Sequence, residues 1–259
     1  MKKFQSSLVV LSTLLAFQPH AGFSQSEFEW TFDIGRYEYE ETVGGAFYMS
    51  DEADPAFFSV GIRKWESASP DDFKFLYTAE LTYGETEYKG SGTLTKDYYK
   101  ARYEGYFSFL ENNKFKPFVG LGYRWLYDDS GGLITSTGYY GYDRRSQYFY
   151  APIGFHFDFN EKLSFKGQYN LFLHGIQTSY LSDVTSCTDL ENDQNGGFGL
   201  DFVGNFKLNE KSSLFAYYRS WDIDKSETST ATCGTSLTLY GYEPENTTIE
   251  YGIGFAFKF

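Results

Sequence analysis

Cysteine, proline, basic charge and long apolar runs are all scarce in this chain of 259 residues. Beyond the N-terminus no stretch approaches the roughly 18 consecutive apolar residues of a membrane-spanning helix, so a helical membrane protein is excluded. Lys and Arg number 22 against 35 Asp and Glu, a formal charge of -13, and such a surface repels phosphate backbones. Nucleic acid is therefore excluded as a partner. No cysteine lies near the first residues, which argues against a lipid anchor; the two present are Cys187 and Cys233. Six prolines stand beside 26 Gly, 24 Tyr and 27 Phe. Aromatics suit strands, and glycine suits turns and the crowded interior of a barrel. The mean hydropathy of -0.44 fits a soluble protein. It equally fits a membrane barrel, whose strands need lipophilic residues only at every second position.

The N-terminus has the three parts of a secretory signal: Lys2 and Lys3, an apolar run from Leu8 to Phe17, then Gly22-Phe23-Ser24. We expect a signal peptide over 1–24 and a single domain over 25–259, with Ala21 as a less regular cleavage point. In an exported chain Cys187 and Cys233 are candidates for a disulfide.

From Phe28 onward, period-two segments of a length suited to crossing a bilayer recur. We expect ten, near 28–40, 56–66, 72–87, 97–110, 115–128, 147–159, 163–177, 197–208, 213–223 and 248–259. In "FKPFVGLGYRWLYD", Val119, Leu121, Tyr123, Trp125 and Tyr127 share one parity. In the last, "YGIGFAFKF", Tyr251, Ile253, Phe255, Phe257 and Phe259 share one parity while Gly252, Gly254, Ala256 and Lys258 take the other. Arg36 and Glu38 disturb the first segment near its outer end. The ninth is assigned with Leu214, Ala216 and Tyr218 outward, since the other register points Arg219 at lipid. Connections alternate between short ones and long ones, the long ones near 41–55, 88–96, 129–146, 178–196 and 224–247. Outer-membrane barrels have this asymmetry of short periplasmic turns and long outer loops. The expected fold is all-β, an antiparallel up-and-down transmembrane barrel of ten strands, with eight or twelve as alternatives.

The signal, the "KPFVGLGYRW" strand and the terminal "YGIGFAFKF" together resemble the OmpA-like and opacity-type outer-membrane β-barrel superfamily. The resemblance covers the mature chain as a pattern. It implies the bacterial outer membrane as location, its lipid and lipopolysaccharide as surroundings, and a C-terminal strand (Tyr251, Ile253, Phe255, Phe257, Phe259) read by the barrel-assembly machinery. Ten strands depart from the eight usual among the smallest relatives and resemble omptin proteases and some adhesins.

The inward parity carries Arg63, Lys74, Glu80, Lys100, Arg102, Glu104, Arg124, His156, Asp158, Lys166, His174, Asp201, Arg219, Glu250 and Lys258. An eight-stranded interior is just filled by side chains, and ten strands leave modest extra room. A paired polar core of Glu80, Arg102, Glu104, Arg124, His156, Asp158, Lys166, Asp201 and Arg219 is expected, ahead of a narrow charged pore. An omptin-like protease needs a His-Asp pair facing a second carboxylate pair at the rim. His174 could meet Asp201, yet no second pair is visible, and a serine hydrolase would find only Ser179 in the following loop. The fourth long loop carries Asp183, Asp189, Glu191 and Asp193, read as solvated acids rather than a calcium loop. Cys187 in the fourth loop and Cys233 in the fifth are expected to bridge. Tyrosines in "GYYGYD" and "LYGYE" suit either recognition or interfacial anchoring. The expectation is thus a monomer with no enzyme activity, cofactor or metal, serving outer-membrane structure or binding a host or surface ligand through its loops. A small diffusion channel comes second and a barrel-rim hydrolase third.

Overall fold

Alternation of apolar and polar residues becomes a closed sheet when the two faces meet different surroundings, lipid outside and packed side chains inside. The computed structural model describes residues 27–67, 74–108 and 114–258. The expected leader 1–24 and Phe259 lie outside them. Ten strands close the barrel: β1 (Glu27–Val43), β3 (Phe57–Ser67), β4 (Lys74–Lys89), β5 (Thr93–Ser108), β6 (Phe115–Asp129), β7 (Arg144–Asp158), β8 (Leu163–Ser179), β10 (Gly197–Lys207), β11 (Ser212–Ile223) and β14 (Glu245–Lys258). Each pairs antiparallel with the next around the circle. Closure joins β1 to β14, with Trp30, Phe32 and Ile34 opposite Phe257, Phe255 and Ile253.

Four shorter strands lie beyond the ten, all on the side of the long connections. β2 (Ala46–Ala53) pairs with β1 and β4 above the start of β3, and β9 (Leu190–Gln194) pairs with β8 above β10. Both extend the wall. β12 (Ser229–Cys233) and β13 (Leu237–Gly241) form a separate hairpin. The sequence pattern did not announce these four because none carries an apolar outward row long enough to mark a bilayer-spanning strand.

Outward positions such as Phe32, Ile34, Phe58, Leu121, Ile153, Leu171, Leu214 and Ile253 are exposed and form an apolar belt. Arg36, Glu85, Asp97, Asp129 and Asp222 mark its outer edge on five strands. Arg36 and Glu38 do not disturb the parity of β1: they continue the outward row above the belt, while Tyr37, Tyr39 and Glu41 stay buried inside. The pairing of β4 with β5 runs over 16 residues, from Lys74 with Ser108 to Lys89 with Thr93. At about 3.3 Å per residue and a tilt of about 40° it rises roughly 40 Å, well past a belt of about 25 Å. The ninth expected strand has the register assigned from sequence, with Leu214 and Tyr218 exposed and Arg219 buried.

Inward glycines make room for large neighbours. The Tyr150 ring occupies the space a Cβ on Gly122 would need, and Phe57 does the same over Gly84. One bulge changes a face: pairing shifts between Phe149 and Tyr150 of β7, so that Tyr150 opposes Phe172 and Phe149 opposes His174. The extra residue carries His174 to the outward side, correcting the inward placement expected from strict alternation.

Ile253 is 66% exposed between Ile34 and Ala216. Ile253→Arg is expected to cost about 2–4 kcal/mol, since it places a charge near the lipid midplane. Reversible unfolding in liposomes checks this, and an unchanged midpoint would contradict the assigned belt.

Candidate functional site in the lumen and outer mouth

Inward side chains from nine strands meet at mid-lumen. Arg219 Nη1 and Nη2 donate to Glu80 Oε1 and Oε2 at 2.8 and 2.9 Å, a bidentate pair from β11 to β4. Arg102 Nη1 and Lys166 Nζ both donate to Asp201 Oδ2, at 3.0 and 2.9 Å. Lys100 Nζ and Arg124 Nη2 take the two oxygens of Glu250 at 2.7 and 3.0 Å. Glu104 accepts from Tyr150 and Gln168, each at 2.8 Å, and from Tyr106. Asp33 accepts from Tyr217 at 3.0 Å. Five carboxylates thus share the space with five cations. Charge-assisted bonds of this kind are the strong ones, and compensation on this scale is what makes buried charge tolerable.

Aromatic rings flank this charged storey above and below. Tyr37 stacks on Phe57 at 4.8 Å between centroids and donates its hydroxyl to Tyr98 at 2.9 Å. Tyr150 meets Trp221 edge-on at 4.8 Å. Lys100 lies 4.9 Å from the Tyr37 ring centre and Arg124 5.2 Å from Trp221, so the same cations bind both the carboxylates and the rings. Below, Tyr106, Phe118, Phe215 and Tyr217 are buried.

The expected polar core is therefore assembled for Glu80, Arg102, Glu104, Arg124, Lys166, Asp201 and Arg219. His156 and Asp158 sit lower. They line a vestibule of about 930 Å³ at the short-turn end, where Lys116 Nζ donates to Asp158 at 2.7 Å and the His156 ring packs 5.2 Å from that of Phe118.

A second buried set closes the outer mouth, and sequence reasoning missed it. Arg144 donates to both Glu41 and Glu243, and Tyr39 donates to Glu41 at 2.8 Å and to Glu243 at 3.3 Å. Beside them Lys96 Nζ donates to Asp51 at 3.0 Å and Asp128 at 2.5 Å. The parity of Tyr37, Tyr39 and Glu41, continuing that of Thr31 and Asp33, was the available signal. Burial pushes the Glu243 carboxyl up to about 8, with Arg144 opposing and Glu41 reinforcing. Burial likewise raises Asp51 to about 6 against the pull of Lys96.

Cys187 and Cys233 form the expected disulfide, tying the fourth loop to the fifth. Beside it Thr188 N donates to the Thr232 carbonyl and Thr232 N to the Thr188 hydroxyl, and Asn192 donates to the Gly241 carbonyl at 3.1 Å. His174 does not meet Asp201, which is buried with Lys166 and Arg102. Its Nε2 lies 3.6 Å from Asp193 Oδ1, and its Nδ1 3.4 Å from Asn195 Oδ1, on the outer surface. Ser179 is buried at the end of β8, opposite Arg144.

No protein-family model and no curated protein matches the chain. Among solved structures, the outer membrane protease OmpT from Escherichia coli superposes with a TM-score of 0.53 at 7% identity, over 93% of this chain and 99% of that one. The translocator domain of the autotransporter NalP from Neisseria meningitidis gives 0.41 at 10%, over 96% and 94%. The toluene transporter TbuX from Ralstonia pickettii gives 0.37 at 8%, over 90% of each chain. The closed ring of ten strands and its apolar belt agree with that likeness. This is a ten-stranded closed β-barrel with the fold of an outer-membrane barrel protein. The likeness does not single out the OmpA-like or opacity-type branch. It does correct the expectation of a protein without enzyme activity. A barrel matching this one over nearly its whole length belongs to a protease, so the architecture accommodates catalysis and a flat exclusion does not stand.

The raised Glu243 gives a pH signature. Its free carboxyl titrates near 4.5 and the folded one near 8, so through that window the closed mouth holds a proton that an opened mouth releases. Stability of the closure is then full below the lower value and is lost as pH rises through the upper one. Hydrogen exchange in residues 225–245 is expected to accelerate across this window, and Glu243→Gln to flatten the response. A pH-independent protection pattern in the unmodified protein would contradict it.

Proposed function

We propose that the chain is a surface-recognition protein of the outer membrane, a closed barrel that presents ordered outer connections to a ligand on another surface. The observation that carries this reading is where ordered structure is spent. The lumen is filled by ion pairs and stacked rings, whereas the wall rises past the lipid belt, gains β2 and β9, and carries a hairpin held by a disulfide. A conducting pore needs an unobstructed polar path, and the storeys of Tyr37, Phe57, Tyr98 and Trp221 stand across it. The terminal strand, with Tyr251, Ile253, Phe255 and Phe257 toward lipid, serves in this reading as the segment met by the barrel-assembly machinery. Outer-leaflet lipopolysaccharide is its immediate neighbour.

The test is attachment of cells displaying the protein to immobilised host-cell or matrix surfaces. Replacing residues 133–140 and the β12–β13 hairpin with short Gly-Ser turns is expected to lower attachment by about tenfold, in line with interfaces dominated by a few contacts. Equal attachment by the shortened barrel, still heat-modifiable on gels, would contradict the reading.

A second reading rests on one observation, the exposed imidazole of His174 beside the carboxylate of Asp193. A base held by an acid is the start of a hydrolytic rim site. Turnover of peptide or lipid by the purified barrel, abolished by His174→Ala, would favour this reading over surface recognition.

A further inference from the structure

The charge of the protein is not spread over it. Residues 36–54, 85–97, 128–145, 174–195 and 222–245, which form the outer wall and loops, contain 21 Asp and Glu and 6 Lys and Arg. Their net formal charge is -15, against -13 for the whole chain. Most of the six cations are already engaged. Lys96 and Arg144 are held in the mouth, Lys89 pairs with Glu52 and Glu87, and Lys225 lies 4.8 Å from the Tyr242 ring centre.

Large side chains stand exposed on this acidic ground, above the row of Arg36, Glu85 and Asp129. Phe47 and Tyr48 are each 59% exposed on β2, Tyr139 and Tyr140 64% and 65% in the third loop, and Leu237 and Tyr240 67% and 72% on β13. They are not on floppy chain. Thr135 N donates to the Tyr139 carbonyl at 2.9 Å, Ser136 N to Thr93 at 2.9 Å, and β13 is paired with the disulfide-anchored β12. Among the described residues no strand pairs with the far edge of β13. Rigid tyrosines bury contact area at low entropic cost. Their ring faces attract guanidinium and ammonium groups, and surrounding carboxylates steer such groups in from solution.

We propose that this aromatic rim docks a basic polypeptide segment, with Arg or Lys side chains laid over Tyr139, Tyr140 and Tyr240 and the neighbouring carboxylates compensating their charge. The proposal rests on the surface-recognition reading and names the chemistry of the partner. Charge complementarity selects the occupant: a polyanion such as heparin is repelled by a surface of this sign.

The experiment uses the full chain in detergent micelles with its disulfide intact, and follows labelled poly-L-arginine and labelled heparin by fluorescence anisotropy. Poly-L-arginine is expected to bind, more weakly as salt rises, and heparin not to bind. The variant Tyr139→Ser/Tyr140→Ser/Tyr240→Ser keeps every charge, so the loss expected from it, about tenfold, reports the rings rather than the field. Heat-modifiable migration verifies that the variant barrel is folded. Equal affinity of variant and parent would overturn the proposal, because binding would then be a featureless charge effect. So would preference for heparin, or association with lipopolysaccharide in calcium without binding of poly-L-arginine. Loss of cell attachment on loop replacement, without binding of the basic probe, would leave the surface-recognition reading standing and sink this one.

Discussion

Charge compensation inside the lumen is the constraint on which the rest of the structure depends. Asp33, Glu80, Glu104, Asp201 and Glu250 face Lys100, Arg102, Arg124, Lys166 and Arg219, and all of these but Glu80 and Arg102 are buried. Removing one partner of such a pair strands a buried charge at about 3–5 kcal/mol. Compensation also fixes geometry. Arg219 on β11 reaches Glu80 on β4, Lys100 on β5 reaches Glu250 on β14, and Arg102 on β5 reaches Asp201 on β10. A slip of one residue in any of these strands would turn its charge toward lipid and its apolar row inward. Belt and core therefore specify one register together.

A lumen filled in this way leaves the larger open space and the irregular structure to the ends. The short-turn end keeps a vestibule lined by Arg63, Lys116, His156 and Asp158. The other end receives nearly all the remaining ordered structure, and its acids are divided between two roles. Glu41, Asp51, Asp128 and Glu243 are buried and hold the mouth together. Asp143 is buried too, accepting from Tyr127; the others reach water and set the sign of the surface. The mouth holds more carboxylates than cations, unlike the balanced storey beneath it, which is why protonation matters there.

Much of the barrel was legible in sequence because lipid enforces a strict period of two. Ten strands, the outward rows of β6, β11 and β14, and the buried fate of Arg219 follow from that rule alone. So does the bridge between Cys187 and Cys233, once the fourth and fifth loops are neighbours. Legibility ends where lipid ends. β2, β9, β12 and β13 are paired but carry no lipophilic row of bilayer-spanning length, and the inward parity of Glu41 does not name Glu243, some two hundred residues away, as its neighbour. His174 was misplaced by a single bulge, which alternation cannot foresee. Catalysis is likewise illegible in pattern: the fold is shared with a protease, and only side-chain geometry at the rim bears on the matter.

The central claim, that this barrel is closed and acts through its outer surface, is tested most directly by single-channel recording in a planar bilayer. The account predicts a flat baseline for the purified protein at both polarities. Regular ohmic steps from the unmodified chain would mean that water passes the storeys of Tyr37, Phe57, Tyr98 and Trp221, and would contradict it.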